Sequence, residues 1–547
     1  MSGRRRRVPD PRTPGGRRGL LLGAGVVVAG GAVAAAVTLW PAGDGGGGGG
    51  TRASGSASAG AGSPSASPSP SRSYPLSKPP RTIPAVRAHT AAHGPGWRPA
   101  FGARVVVDDD ALAGEGKLLA GELRMTYGGR GGARAGDVEL ALGGSGGAES
   151  YTLTVGDGRV RIAGPGRSGV FYGTRTLKQE VHDGGTAPEG VVRDGPAKPV
   201  RGFMLDIARK HFTADWIEDR VRELGDLKYN EIGLHFSDDQ GFRIASDTHP
   251  EVVSREHLTK AEVKRIVDLA ASRHIAVVPE IDSPGHLGAV IAAHPDLQLR
   301  NAAGASASRG TLDISKPAAA KIVDELLEEY ADLFPGSDWH LGGDEYQALT
   351  ASNPAASYPQ LASAAVKRYG AGATIADLAT GWLGDRAAVV NRNGRTPRAW
   401  NDGFYRSVRK ASVSKDIRVA YWTGKEIGAR QPTEYLAAGR EVVNYNDEFL
   451  YYVLGEPQTF VYPTGQRIYE QWTPRVLRGT TAVPASYDDR IRGGVFAVWC
   501  DLSGAQTQDQ VAAGIRMPLR ALVQKLWDPG TPELSWKEFQ GLADRVG

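Results

Sequence analysis

Cysteine is nearly absent from this chain of 547 residues. The one cysteine, Cys500, leaves no partner for an intramolecular disulfide and no basis for a cysteine-rich metal site. No triple set of histidine and carboxylate ligands is evident from the spacing, so we expect neither a metal nor another cofactor. The stability of the fold then has to come from packing.

Positive charge is scarce outside the N-terminal part of the sequence. The formal net charge is +5, but residues 1–95 hold twelve arginines and lysines against two aspartates. The rest of the chain is therefore mildly acidic, and we expect no nucleic-acid partner.

The sequence has one long run that is both uncharged and largely apolar, the twenty residues Leu20–Leu39. They follow an arginine cluster whose last pair, Arg17-Arg18, resembles a twin-arginine export signal. Residues 1–41 are therefore interpreted as a signal peptide or a membrane anchor, the only expected contact with a membrane. In either case we expect the folded part to lie outside the cytoplasm, secreted or anchored facing outward.

Residues 42–95 consist largely of glycine, serine, alanine and proline, with six consecutive glycines at 45–50. Such a composition cannot bury a core and predicts a disordered linker. Residues 96–197 then alternate short apolar runs with glycine-rich turns, which predicts a small α+β domain. Its predicted strands are 104–107, 138–142, 151–155 and 159–162, and its predicted helix is 169–179.

From residue 198 to residue 547, apolar runs alternate with longer stretches, several of which have apolar residues at helical spacing. Eight such repeats predict an α/β fold, a (β/α)₈ TIM barrel. The predicted strands are 202–206, 231–236, 275–280, 338–341, 398–400, 417–422, 441–445 and 494–499, and helices are predicted at 214–227, 260–273 and 318–333.

Carboxylates and aromatic residues follow the C-terminal ends of these predicted strands, the face where barrels of this type carry their active sites. These residues include Asp206, Arg209, Asp238, Asp282, His286, Asp344, Glu345, Trp400, Trp422, Trp499 and Asp501. Tryptophan rings stack on the C–H faces of a sugar, and carboxylates bind its hydroxyls, so the face is predicted to bind carbohydrate.

Asp344 and Glu345 are the strongest candidates for catalysis. They follow Gly342-Gly343, a pair that lets a ligand approach the backbone closely. Two adjacent carboxyl groups cannot ionise independently, so we expect one of the two to hold a proton near neutral pH. One acid and one anion can together cleave a glycosidic bond.

Four ordered motifs in the sequence resemble glycoside hydrolase family 20, the β-N-acetylhexosaminidases, and the resemblance extends over essentially all residues after 96. The matching segments are 201–210, 234–243, 279–286 and 340–345. The resemblance implies a retaining mechanism in which the substrate's own 2-acetamido oxygen attacks the anomeric carbon. It also implies that Glu345 is the acid and base and that Asp344 orients the acetamide.

The resemblance assigns further residues to the site. Arg201 would donate to ring hydroxyls of the terminal sugar, and Asp501 would hold hydroxyls of the same sugar. Asp238, Asp282 and His286 would form a network that tunes the pKa of Glu345. The rings of Trp400, Trp422 and Trp499 would wall the acetamide pocket.

One segment departs from the family pattern. Many members have a Tyr-x-Asp motif near the seventh strand, whereas this chain has Phe449-Leu450-Tyr451-Tyr452-Val453 and no aspartate. We expect Tyr451 to donate to the acetamide oxygen, with Tyr452 or Tyr445 as the alternatives. This run is more similar to the branch of the family that contains lacto-N-biosidases and poly-N-acetylglucosaminidases.

Release of a terminal N-acetylhexosamine from a glycan is the predicted function. A lacto-N-biosidase or a poly-N-acetylglucosaminidase of the same family is the first alternative. A surface protein that binds carbohydrate with an inactive barrel is the more remote one, because such a protein would not need an intact acid and its hydrogen-bonded network.

Overall fold

A computed structural model describes residues 73–308, 310–425 and 429–546. The predicted signal peptide or anchor, and residues 42–72 of the predicted linker, lie outside the described residues. Within the described part, no helix combines the length and the apolar character needed to cross a membrane.

The first folded region is a seven-stranded mixed sheet with the order β1-β7-β5-β6-β4-β2-β3. Its strands are β1 (His89–Ala91), β2 (Arg104–Val107), β3 (Thr126–Arg130), β4 (Val138–Leu142), β5 (Tyr151–Gly156), β6 (Arg159–Gly164) and β7 (Gly190–Asp194). Its helices are α1 (Ala113–Glu122) and α2 (Arg167–Gly184). Alternate residues of β5 are buried, which follows from the alternation of apolar and polar side chains in its sequence.

The prediction of a linker up to residue 95 is wrong for its last part. β1 pairs with β7 in antiparallel register, and Ile83 is fully buried. The cue that sequence reasoning missed is the lack of glycine from residue 63 to residue 93. Single apolar residues in this stretch, such as Ile83, pack in the core of the barrel region.

The second region is the barrel. Its strands are β8 (Val200–Asp206), β9 (Glu231–Ser237), β10 (Ala276–Ile281), β11 (Asp338–His340), β12 (Thr396–Trp400), β13 (Arg418–Tyr421), β14 (Val442–Asn444), β15 (Tyr451–Val453) and β16 (Ile491–Trp499). All are parallel to their neighbours, and pairing of β14 with β16 closes eight of them into a barrel. The predicted TIM barrel and its eight strands are confirmed. β15 was not predicted as a strand, since it has only three residues, and it pairs with β16 outside the closed ring.

Helices surround the closed sheet. They are α3 (Ala214–Asp226), α4 (Lys260–Ala271), α5 (Gly288–Ala293), α6 (Pro317–Tyr330), α7 (Pro354–Ser357), α8 (Pro359–Tyr369), α9 (Ile375–Arg392), α10 (Pro432–Ala437), α11 (Gly465–Gln471), α12 (Gln508–Trp527) and α13 (Trp536–Val546). Threonine side chains cap several of them, as Thr259 does in a reciprocal pair with Glu262 at α4. The strands read as continuous apolar runs because the helices cover them on one side and the barrel interior on the other.

Charged groups close the amino-terminal end of the barrel. Inside the barrel, Arg398 binds both carboxylate oxygens of Glu231, at 2.6 and 2.9 Å. At the same end, Arg201 binds Glu149 of the first sheet region, and Trp527 of α12 enters the core of that region. The two regions are therefore joined by both apolar packing and paired charges.

Candidate active site

Asp344 and Glu345 lie in the loop that follows β11, at the carboxyl-terminal end of the barrel. Gly342 has a positive φ of 65°, and a Cβ at this position would lie 1.7 Å from Oδ1 of Asp282. The same Oδ1 accepts a hydrogen bond from the Gly343 N–H at 2.8 Å. Glycine is thus required here because the carboxylate of Asp282, which follows the neighbouring strand β10, lies directly against the backbone.

The backbone turns sharply at Glu345, which has a φ of 48°. Its N–H donates to Oδ2 of Asp402 at 3.1 Å, which holds this uncommon conformation. As a result the two neighbouring carboxyl side chains are unequally exposed: 49% of the Glu345 side chain and 15% of the Asp344 side chain face solvent. The turn gives the two acids different environments.

His286 lies between the carboxylates that the sequence analysis assigned to the site. Its Nδ1 is 3.5 Å from Oδ2 of Asp238, and its Nε2 is 3.6 Å from Oδ2 of Asp344 and 3.5 Å from Oε2 of Glu345. Burial opposes the charged imidazolium, but the carboxylates of Asp238 and Asp344 outweigh it and raise the pKa of His286 well above its ordinary value. His286 is therefore a cation near neutral pH.

Burial and the hydrogen bond from His286 together separate the pKa values of the two adjacent acids. The hydrogen bond from His286 lowers the pKa of Glu345, whereas burial raises the pKa of Asp344. The pKa values of Asp344 and Glu345 do differ, as expected. However, Glu345, the acid that is expected to donate a proton, is the one that this structure favours in its ionised form.

Asp282 and Asp344 form a close carboxyl pair. Burial raises the pKa of Asp282 well above its ordinary value, and the charge of Asp344 adds to this effect. The buried Oδ1 of Asp344 has no hydrogen-bond partner with a fixed N–H or O–H in the described part of the chain. The pKa of the fully buried Asp282 is raised further than that of Asp344, which favours a proton on Asp282 that is donated to Asp344 and an anion on Asp344 beside His286.

A buried chain of ionisable groups continues behind the site. Asp238 Oδ2 is 2.8 Å from His235 Nε2, His235 Nδ1 is 3.2 Å from Glu280, and Glu280 is 3.1 Å from His340. Burial lowers the pKa of His235, but Glu280 and Asp238 outweigh this and raise it to about 10. The chain fixes Asp238, which in turn faces His286.

Aromatic rings line the open side of the site. The rings of Trp422 and Tyr451 are parallel within 5° with centroids 5.8 Å apart, and Trp499 lies 5.8 Å from Tyr451. Trp400 is only 1% exposed and donates from Nε1 to Glu280 at 2.9 Å. Trp400 therefore lies beneath the other rings, as the floor of the aromatic cluster.

Of the three tyrosines considered in the sequence analysis, Tyr451 is the one that packs against Trp422 and Trp499. The hydroxyl of Tyr452 is bonded to Gln506, and that of Tyr445 accepts from Arg398 in the barrel interior. The geometry favours Tyr451 for a contact with a ligand, and its role stays a prediction.

The assignment of Arg201 to the substrate is wrong. Arg201 stands at the start of β8, at the opposite end of the barrel from Asp344, and is fully buried. Its guanidinium donates to Glu149, to the Tyr172 hydroxyl and to two backbone carbonyls. Every donor is thus engaged in joining the two regions of the protein.

Arg209 occupies the place that was expected for Arg201. It follows β8 at the carboxyl-terminal end, with ion pairs to Asp206 at 3.0 Å and Asp238 at 2.8 Å. Its guanidinium lies 5.4 Å from the Trp499 ring centroid. Asp501 is exposed on the same side, and its neighbour Cys500 donates from the backbone to Asp206.

Asp402 also belongs to the site, and sequence reasoning missed it. One of its oxygens accepts from Glu345 N–H and the other accepts from Trp422 Nε1 at 2.9 Å. Burial, followed by the charge of Asp344, raises the pKa of Asp402 to about 8. Its place two residues after Trp400, just past a predicted strand end, was the available signal.

A second cluster brings together three possible metal ligands that were not apparent in the sequence, and the expectation of no metal stays a prediction. Donor atoms of His249, Glu251 and His294 lie within 4.8 Å of one another. The spacing in sequence gave no signal, because the three residues come from two loops. A similar grouping of Asp282, His286 and Asp344 belongs to the site already described.

Comparison with known families matches nearly all of the described chain. Residues 199–522 match the family model described as "Glycosyl hydrolase family 20, catalytic domain". Residues 79–195 match the one described as "Glycosyl hydrolase family 20, domain 2".

Individual relatives carry related names. A lacto-N-biosidase of Bifidobacterium bifidum is 30% identical over 478 residues, which are 86% of this chain and 42% of that protein. A beta-hexosaminidase of Akkermansia muciniphila is 32% identical over 282 residues, 47% of this chain and 56% of that protein. The matches thus span about half the length of these two relatives.

Solved structures share the fold. A mutant Streptomyces plicatus beta-hexosaminidase in complex with product (GlcNAc) has a TM-score of 0.67 and 26% identity, covering 87% of this chain and 95% of that one. An exo beta-N-acetylglucosaminidase from Vibrio harveyi has a TM-score of 0.69 at 20% identity, covering 88% of this chain and 79% of that one, a likeness of fold alone.

Proposed function

Since the chain belongs to glycosyl hydrolase family 20, we propose that it is a glycosidase that hydrolyses the bond after a terminal β-linked N-acetylhexosamine. The observation that carries the proposal is the divergence of the two adjacent acids at one strand end. Glu345 is half exposed, while Asp344 is mostly buried between His286 and the Asp282 carboxyl. One group can reach a leaving oxygen while the other holds a fixed charge deeper in the site.

In the first step the acetamide oxygen of the substrate attacks the anomeric carbon and the glycosidic bond breaks. Glu345 gives its proton to the departing oxygen, so an oxazolinium and a free alcohol form. The bound sugar excludes water from Glu345, which raises the pKa of this acid from the low value that His286 imposes. In the second step Glu345 takes a proton from water, which attacks the same carbon and restores the acetamide with overall retention.

Asp344 is proposed to accept the N–H of the acetamide and to stabilise the positive charge of the oxazolinium. This role requires an anion that does not move. The hydrogen bond from protonated Asp282 and the nearby His286 both hold Asp344 in place, and its low exposure strengthens the charge interaction.

The rings of Trp422, Tyr451 and Trp499 are proposed to enclose the acetamide, with Tyr451 donating to its oxygen. Arg209 and Asp501 are proposed to bind hydroxyls of the same sugar. Arg209 supports this role because its side chain is 14% exposed while two ion pairs fix its position. Asp402 accepts hydrogen bonds from Trp422 Nε1 and from the Glu345 N–H, so it would fix the position of Glu345 relative to the Trp422 ring.

A second candidate is release of a disaccharide, as the name lacto-N-biosidase implies. Two observations favour it. The match to the protein of that name extends over 86% of this chain. In addition, Val453 stands where many family members have the aspartate of a Tyr-x-Asp motif, and it is 3% exposed in an apolar cluster. The hydroxyl-binding acid of that corner is absent from this chain.

The full chain, assayed in parallel on 4-nitrophenyl β-N-acetylglucosaminide and 4-nitrophenyl β-lacto-N-bioside, tests both candidates, with Glu345→Gln as the control. Hydrolysis of the first alone supports release of a monosaccharide, and hydrolysis of the second alone supports release of a disaccharide. If neither exceeds the Glu345→Gln control, both candidates are contradicted, and an endo-acting hydrolase or a binding protein takes their place.

We also propose that the enzyme acts outside the cytoplasm. The support is the run Leu20–Leu39 behind its arginine cluster. Cell fractionation of the full chain, with mass spectrometry of its N-terminus, tests this: recovery of the intact chain in the cytoplasmic fraction would contradict it.

A further inference from the structure

His249, Glu251 and His294 meet on the surface beside the carboxyl-terminal end of the barrel. His249 and Glu251 lie in the segment that follows β9, and His294 ends the short helix α5. Oε1 of Glu251 is 3.1 Å from Nδ1 of His249 and 2.9 Å from Nε2 of His294. One carboxylate oxygen therefore faces two imidazole nitrogens from two different loops.

We propose that these three residues bind a divalent transition-metal ion, zinc(II) by the chemistry of its donors. Two imidazole nitrogens and one carboxylate oxygen form a common protein ligand set for zinc, with ligand bonds of about 2.0–2.2 Å. Ligand atoms at tetrahedral angles around such an ion lie roughly 3.3 Å apart. Both separations from Oε1 are already close to this value, and the two imidazole rings, whose centroids are 6.4 Å apart, would have to approach each other by about 1 Å.

A second carboxylate orients one of the ligands. Nε2 of His249, on the far side of the ring from Glu251, lies 3.2 Å from Oε2 of Glu325 on α6. A ligating histidine usually donates its other N–H to a carboxylate in this way, which fixes the tautomer and raises the basicity of the ligating nitrogen.

The site is accessible. The side chains of His249, His294 and Glu251 are 14%, 33% and 42% exposed, so an ion can enter from solvent and keep a water ligand. The cluster shares no residue with the group of Asp282, His286 and Asp344.

The ion would join the two loops that carry Asp238 and His286. These loops are already connected at the active-site end, where the Gly288 N–H donates to Asp239 and the Ala289 N–H donates to the Asp238 carbonyl. The metal would connect them at the other end, through His294 on one side and His249 and Glu251 on the other. We infer a structural role, in which the ion stiffens the loops that hold the hydrogen-bonded network.

Calorimetric titration of the EDTA-treated and dialysed full chain with ZnCl₂ at pH 7.5 tests the site. The expected result is one zinc per chain, with affinity at least about 100-fold lower in Glu251→Gln and in His294→Asn, and about 10-fold lower in Glu325→Gln. Glu256→Gln is the matched control, because Glu256 is an exposed glutamate of the same segment and lies outside the cluster. CaCl₂ should give no comparable binding, since calcium prefers oxygen ligands.

Thermal unfolding provides a readout that does not depend on activity. Zinc should raise the Tm of the wild type and of Glu256→Gln, and should leave the Tm of Glu251→Gln and His294→Asn unchanged. Equal zinc affinity in the wild type and both ligand variants would overturn the proposal, as would the lack of any zinc binding by the wild type. Equal affinity would point instead to the Asp282, His286 and Asp344 group.

Discussion

The two ends of the barrel both bury arginine and carboxylate side chains, yet they use them differently. At the amino-terminal end, Arg201 is fully buried and each of its donors has a protein partner. At the carboxyl-terminal end, Arg209 keeps some exposure, and Glu345 is half open to solvent. Arg201 has no donor left for a ligand, whereas the second end keeps groups that a ligand can reach.

The difference is also electrostatic. Arg398 and Glu231 pair one to one inside the closed end. At the open end, Asp344 and Glu345 share the imidazolium of His286, while Asp238 is also paired with Arg209 and His235. Excess negative charge in a partly buried site suits a reaction that develops positive charge on a sugar. Buried arginines and carboxylates occur at both ends of the barrel, so their presence alone does not identify the active site. The active-site end is distinguished by charged groups that lack a full set of protein partners.

The largest expected effect comes from the two acids at the open end. Glu345→Gln removes the acid and base, and Asp344→Asn removes the charge that faces the oxazolinium. Each should lower kcat/KM by about 10³-fold, measured on whichever nitrophenyl glycoside the wild type hydrolyses. Thermal unfolding serves as the control, with little loss of Tm expected because Glu345 is half exposed. A folded Glu345→Gln variant with near wild-type kcat/KM would contradict the role of this acid.

A large effect on stability is expected from His235, behind the site. The pKa of His235 is about 10 in the folded protein and 6.5 ordinarily. Its raised pKa stabilises the fold fully below about pH 6.5, and the contribution is lost as the pH rises through about 10. The free energy of unfolding of the wild type should exceed that of His235→Gln by about 3–5 kcal/mol at pH 6.

Denaturant unfolding of both proteins from pH 6 to pH 10.5 checks this. The difference between them should shrink as the pH increases. A difference that stays constant over that range would mean that His235 is not charged between Asp238 and Glu280.

A smaller effect is expected from Asp402. Its pKa of about 8 means that it is protonated at neutral pH and gains a charge beside Asp344 above pH 8. Asp402→Asn imitates the protonated form at all pH values. A charge on Asp402 would favour a proton on Asp344, which the proposed reaction needs as an anion. The ratio of kcat/KM for Asp402→Asn to that for the wild type should therefore rise about 10-fold between pH 6.5 and pH 9.5. A ratio that does not change with pH would exclude this titration.

Much of the architecture could be predicted from the sequence. The eight strands of the closed barrel were found because each is a short apolar run covered on both sides, a pattern that local sequence records directly. Asp344, Glu345, Asp238 and His286 follow such runs, and the structure brings them together for the same reason. β15 was missed because three residues are too few to show a period.

The errors have a common cause, which is that pairing between distant segments leaves no local signal. Arg201 differs from Arg209 only in which end of β8 it occupies, and its partner Glu149 lies in another region. The set of His249, Glu251 and His294 depends on two loops packing side by side. The strand β1 is recognisable only through its partner β7.

The most direct measurement compares the same substitution at the two ends of the barrel: kcat/KM and Tm for Arg209→Met and Arg201→Met. Arg209→Met should lower kcat/KM by about 100-fold, since charge-assisted hydrogen bonds to the sugar are lost. Arg201→Met should keep kcat/KM within about twofold of the wild type and lower the free energy of unfolding by about 3 kcal/mol, because the Glu149 carboxylate loses its partner. A folded Arg201→Met protein that loses as much activity as Arg209→Met would contradict the distinction between a structural and a functional end.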